Sequence, residues 1–148
     1  MKKIGFGLFL VFVAALLAAQ SLHAQNFAPG GYKLKIVVGG PVSCTHGTTL
    51  NLGVVVINEN SFDVTCASLM ALVVDPWTGA AIVGPKPTAV NQKLAPYSES
   101  TLVTVSLNIP STVQSNTTLA VVIFAVENSE EKGLQFIAGT AAWGFVAK

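Results

Sequence analysis

Residues 101–109 alternate without interruption: Thr101, Val103, Val105, Leu107 and Ile109 fall on one side, and Leu102, Thr104, Ser106 and Asn108 on the other, before the run closes at Pro110. Period two is the signature of an extended strand with one buried face, and a helix would scatter the same residues around its axis. Other segments repeat the pattern. Tyr32, Leu34, Ile36 and Val38 oppose Lys33 and Lys35, and Leu50, Leu52, Val54 and Val56 share a face within residues 48–57. Outside the first two dozen residues no stretch shows a period of 3.6, so the fold must be built from sheets.

Turn chemistry divides the remaining strands. Gly39-Gly40-Pro41 ends the first, and Asn58-Glu59-Asn60-Ser61 ends the second. A third strand over residues 64–74 stops at Asp75-Pro76-Trp77-Thr78-Gly79, and a short fourth over 80–83 runs into Gly84-Pro85-Lys86-Pro87. After the strand at 101–109, a sixth occupies 119–126, bounded by Asn128-Ser129-Glu130-Glu131-Lys132-Gly133. A seventh occupies 134–147 and is broken near Gly139. About seven antiparallel strands in one domain of this length define an all-β, immunoglobulin-like β-sandwich.

The amino terminus is read separately. Met1, Lys2 and Lys3 are followed by an uncharged, mostly apolar run over residues 4–19 and then by small and polar residues up to Ala24. This is the three-part pattern of a secretory signal peptide, residues 1–24, with cleavage before Gln25. The run falls short of the roughly 20 residues that span a bilayer, so no membrane anchor is expected after processing. The expected product is a secreted domain, residues 25–148, in the periplasm or outside the cell. Cleavage takes the net charge from +1 to −1, six Lys against seven acids. Such a chain has no basic footprint for a phosphate backbone, and nucleic-acid binding is excluded. With 51% hydrophobic residues it has ample apolar surface to bury, which excludes a disordered tail.

The run from Gly47-Thr48-Thr49-Leu50 through Val56-Ile57-Asn58, then Val73-Val74-Asp75 with its glycine turn, then Leu94-Ala95-Pro96-Tyr97-Ser98-Glu99-Ser100 before an alternating strand, resembles the immunoglobulin-like modules of bacterial surface proteins. The nearest such family is CARDB, the cell-adhesion-related modules. The likeness covers residues 32–126, with Tyr97 where such modules usually have Gly. It implies a structural, adhesive or ligand-presenting role without catalysis, and it transfers no site residues.

Reactive chemistry finds little support. A blue-copper site needs two imidazoles beside its thiolate, and only His46 survives processing. No motif pairs a Ser or Cys nucleophile with His46 and an orienting carboxylate, so the chain is read as non-enzymatic and without a cofactor. Five of the seven acids, Glu59, Asp63, Glu127, Glu130 and Glu131, belong to two loops that a sandwich places at one end. That pole is a candidate calcium site or a docking surface for a basic partner, against the plainer reading of two solvated acidic hairpin tips. Trp77, in a turn, is a candidate for stacking on a sugar ring. Cys44 and Cys66 are the only cysteines of an exported chain, and a bridge between them would add roughly 3 kcal/mol. Threading sets them near opposite ends, so three outcomes stay open: a fold-back over 59–67 that allows the bridge, free thiols, or pairing between chains.

The strongest feature is excess apolar surface. Each sheet of a two-layer sandwich has one wet face, yet two strands are apolar on both sides. Leu69, Ala71 and Val73 oppose Met70, Leu72 and Val74. Leu119, Val121, Ile123 and Ala125 oppose Ala120, Val122, Phe124 and Val126. An outer face of this kind needs a cover: a second copy of the chain, a protein partner, a lipid-like ligand, or the chain's own ends. Self-association or partner binding is therefore the leading expectation, and a carbohydrate- or calcium-binding module the alternative.

Overall fold

The computed structural model describes residues 34–129 and 134–148. The expected signal peptide, residues 1–24, the other residues before Leu34 and the acids Glu130 and Glu131 lie outside the described residues.

Eight strands form among the described residues: β1 (Leu34–Gly39), β2 (Ser43–Cys44), β3 (Thr49–Asn58), β4 (Val64–Val74), β5 (Ala81–Leu94), β6 (Val103–Asn108), β7 (Thr117–Ser129) and β8 (Leu134–Ala147). They make two sheets, one in the order β1-β3-β6 and one in the order β2-β8-β7-β4-β5. All pairings are antiparallel except β2 with β8, where Ser43 and Cys44 run parallel to Val146 and Ala147. The sandwich expected from period-two patterning is thus present, with one two-residue strand that no pattern announces.

The alternating sides fall as the sequence dictates. Leu50, Leu52, Val54 and Val56 of β3 and Val105 and Leu107 of β6 are buried against Leu69, Ala71, Val73, Leu119, Val121, Ile123 and Ala125 of the facing sheet. Burial of this kind contributes roughly 1.5–3 kcal/mol for each large aliphatic side chain removed from water. Polar residues line the far side of the smaller sheet, where Thr49 Oγ1 donates to Asn108 Oδ1 at 2.8 Å and Ser106 Oγ to Asn51 Oδ1 at 2.7 Å.

The fourth strand departs most from expectation. It does not stop at Val83 but continues through Gly84, Pro85, Lys86 and Pro87 to Leu94, pairing only with β4. Proline is tolerated here because β5 is an edge, where a missing N–H on the open side costs no ladder bond. Near its end, Val90 and Asn91 are the extra residues opposite Ala67. Asn91 adopts φ 48°, a left-handed conformation that asparagine accepts more readily than most residues. The break expected near Gly139 is a register shift, with Ala125 opposite Gly139 and Val126 opposite Ile137.

Gly139 also sets the distance between the sheets. The Leu34 backbone lies so close to it that an added Cβ would collide with the Leu34 carbonyl. Only glycine allows β1 to close on β8 in this way.

Candidate functional site

The two-sided strands build a second apolar cluster, distinct from the inter-sheet core. Leu72 and Val74 of β4 and Ala120, Val122 and Phe124 of β7 form it, with Met70 and Ile137 packed at its margin. Its described members come only from β4, β7 and β8, and none from the smaller sheet, so it lies on the outer side of the five-stranded sheet. Leu72, Val74 and Val122 are each 0% exposed and Phe124 is 5%. The sequence correctly anticipates an apolar outer face, and its described members are buried.

The acidic pole comes out differently from its sequence reading. Cys66 pairs with Glu127 across β4 and β7, so the β3–β4 and β7–β8 connections do share one end of the sandwich. The three acids described there have separate fates. Glu59 is exposed. Asp63 pairs with Lys93 at 2.9 Å, both side chains largely in solvent. Glu127 is buried on the inner side opposite Cys66, its Oε2 without a hydrogen-bond partner, and burial raises its carboxyl above the ordinary range. Among the described residues no three His, Cys, Asp or Glu side chains come together as metal ligands.

That pole is organised instead by an asparagine which the sequence reading treats as a plain turn residue. Asn58, fully buried, donates from Nδ2 to the carbonyls of Phe62 at 2.8 Å, Leu94 at 3.1 Å and Ala95 at 3.0 Å. Its Oδ1 accepts from the Asn60 backbone N–H at 2.9 Å and from Asn60 Nδ2 at 2.8 Å. One amide therefore ties the β3–β4 loop to the end of β5. The only signal in the sequence is position: Asn58 continues the buried parity of Leu50 to Val56.

The cysteines do not meet. Cys44 lies beside Ala147, which pairs with Thr117 at the start of β7, whereas Cys66 lies beside Glu127 near its end. Ten residues of strand separate the two levels, roughly 33 Å at about 3.3 Å per residue, against the roughly 4.4–6.8 Å that bridged Cα atoms require. Residues 59–67 do not fold back, so no bridge joins Cys44 to Cys66 within the chain, where both are free thiols. Cys66 is sealed in the core, where burial pushes its thiol up to about 11. Half-buried Cys44 contacts Thr48 Oγ1 at 3.4 Å. His46 is held by its backbone N–H on the Lys148 carbonyl at 3.0 Å.

Trp77 stands 85% exposed on the β4–β5 turn. Its backbone N–H donates to Asp75 Oδ1 at 2.8 Å, a bond that holds the Asp75 carboxyl below the usual range. Asp75 also borders an open cleft of about 460 Å³, lined further by Ile82, Thr112, Gln114 and Thr117. Phe145 is buried, while Trp143 is half-buried with Nε1 donating to the Pro41 carbonyl at 3.0 Å.

Solved structures place this arrangement. The solution structure of the CARDB domain of PF1109 from Pyrococcus furiosus matches 78% of this chain and 94% of its own, with a TM-score of 0.50 at 16% identity. The fold is similar to that of a CARDB domain. A crystal structure of the same Pyrococcus domain, in complex with di-metal ions, matches 85% of this chain and 97% of its own at 15% identity, with a TM-score of 0.47. A protein from Archaeoglobus fulgidus matches 78% of this chain and 96% of its own at 11% identity, with a TM-score of 0.44. No family model matches the chain, and no curated protein does. At these identities the CARDB likeness speaks for the sandwich and for nothing carried on it.

Proposed function

We propose that the processed protein is a secreted, non-enzymatic β-sandwich with a structural or adhesive role, acting by self-association or by binding a protein partner across the outer face of the five-stranded sheet. The observation that carries this reading is the second apolar cluster of β4, β7 and β8, which the inter-sheet core does not use. Its members are buried in the full chain, and an apolar face of this kind, once opened, is what stable interfaces are built around. Light scattering of the form beginning at Gln25, across micromolar concentrations, tests it. A dimer or larger species that Val122→Lys returns to monomer supports the reading, and a monomer throughout refutes it.

A second reading rests on Trp77. An exposed indole whose backbone N–H bonds Asp75, a residue that borders an open cleft with Thr112 and Gln114, joins a stacking surface to hydrogen-bonding groups on one turn, the pairing that sugar rings favour. Retention on a panel of polysaccharides, lost in Trp77→Ala, supports glycan binding. Equal retention of both forms, or none by either, removes it.

A further inference from the structure

We propose that the outer face of the three-stranded sheet docks on the same face of a second copy, about a two-fold axis running along β3, with Lys35 of each copy set against Glu99 of the other. This contact lies on the smaller sheet and stands independently of the reading of the larger sheet's outer face.

The far side of the smaller sheet is polar at one end only. Thr49 with Asn108 and Asn51 with Ser106 fill that end. Toward the other end the outward positions of β3 are Gly53, Val55 and Ile57. Val37 on β1 pairs with Val55, and Leu102 stands one step beyond Val103, the β6 partner of Val54. Val37 is 47% exposed and Leu102 71%, with Val55 and Ile57 half-buried between their neighbours. Leu102 leans over Gly53, where an added Cβ would come within 3.2 Å of its Cδ1. An apolar row therefore crosses all three strands on a face that a sandwich ordinarily gives to polar side chains.

The next row carries the charges. Ile57 pairs with Lys35 on one side and bridges to Glu99 on the other. Residues directly opposite in antiparallel strands share a face, so a cation and an anion flank Ile57, each about 5 Å away at the backbone. Both side chains are exposed, and neither enters an ion pair among the described residues. A two-fold axis along β3 exchanges the two edges of the sheet. It sets Lys35 over the second copy's Glu99 and Glu99 over its Lys35, and lays Val37 against Leu102, while Val55 and Ile57 meet their own counterparts. That is the self-complementarity an isologous contact requires. An axis across the strands would instead carry Lys35 to the Gly39 end of β1, where the facing residues, Gly53 and Thr104, offer no acid. Glu59 follows β3 at the rim of the patch, exposed, where solvent and salt screen it from its own counterpart. Three strands at about 4.8 Å and five residues at about 3.4 Å outline a patch of a few hundred Å², below the roughly 800 Å² per partner of a stable interface. The dimer is therefore weak and reversible.

Sedimentation equilibrium of the purified full chain, at concentrations up to about 1 mM, tests the contact with charge reversals that leave the core untouched. Lys35→Glu and Glu99→Lys are each expected to weaken dimerisation about tenfold, because each sets two like-charged pairs face to face. An equimolar mixture of the two variants is expected to regain the wild-type affinity, since both cross-copy pairs are then opposite in sign. A pairing of Lys35 with Glu99 inside one chain would give no such rescue. A wild type monomeric throughout, a dimer indifferent to both reversals, or a mixture as weak as its components overturns the proposal. A dimer indifferent to the reversals but lost in Val122→Lys leaves the larger-sheet interface standing alone. Reversals that act as expected while Val122→Lys changes nothing leave only the smaller-sheet contact.

Discussion

Removing the Asn58 amide tests how the acidic pole is held. Its two Nδ2 hydrogens are shared among three carbonyls and its Oδ1 accepts two N–H groups, about four hydrogen bonds in a fully buried place. At a net value of roughly 1 kcal/mol each, Asn58→Ala should cost about 4 kcal/mol, a large share of the roughly 5–15 kcal/mol that holds a typical domain. Asn58→Asp should behave differently, because it turns a donor toward three carbonyl oxygens into a buried charge. Its carboxyl is driven upward by burial and by those oxygens, so the folded state holds its proton more tightly than the unfolded state. The deficit of Asn58→Asp should therefore be smallest in acid and grow as pH rises through the folded-state pKa. Urea unfolding of the wild type and both variants at pH 4 and pH 7, followed by circular dichroism, measures this directly. A loss below about 1 kcal/mol for Asn58→Ala, or a pH-independent Asn58→Asp, would refute the claim that this amide organises the end of the sandwich.

Three other outcomes are expected. Glu127→Gln should stabilise the fold at neutral pH by about 1 kcal/mol. Wild-type stability, with a carboxyl whose folded-state pKa is raised, should decline from the ordinary Glu range up to that raised value, and the variant should lack the decline; parallel pH profiles would contradict this. Gly139→Ala should cost about 1–3 kcal/mol by forcing β1 away from β8, whereas Gly144→Ala on the same strand, with open space at its Cβ, should be neutral or mildly stabilising. Equal melting temperatures for the two glycine variants would remove the close approach as the cause. Thiol titration should find Cys44 reactive in the native protein and Cys66 only after denaturation, and a monomer with neither thiol free would disprove the separation along β7.

Most of the architecture was legible because burial on a sheet follows parity. On β3 and β6 the buried residues, Leu50 to Val56 and Val105 to Ile109, lie on the face read as inner, on β4 and β7 residues of both sides are buried, and the bounds of β4 match the sequence reading residue for residue. What escaped has a physical reason in each case. Pro85 and Pro87 read as a turn because local chemistry cannot reveal that β5 would lie at an edge, where proline does no harm. Ser43 and Cys44 are too short to show a period, and their partner lies at the far end of the chain. The β3–β4 and β7–β8 connections share one pole as read, but loop proximity does not fix side-chain direction, and Glu127 follows the inward parity of β7 while Asp63 turns to Lys93. Asn58 was missed because asparagine in a polar cluster is more often a solvated turn residue than the buried knot it forms here.

The prolines of β5 also restrict how copies of this protein can meet. With Lys86 set between Pro85 and Pro87, and bulges at both ends of the stretch, the open rim of the larger sheet is a poor template for another chain's backbone. Open-ended growth of the cross-β kind is blocked along that rim, which leaves the sheet faces to the association proposed above.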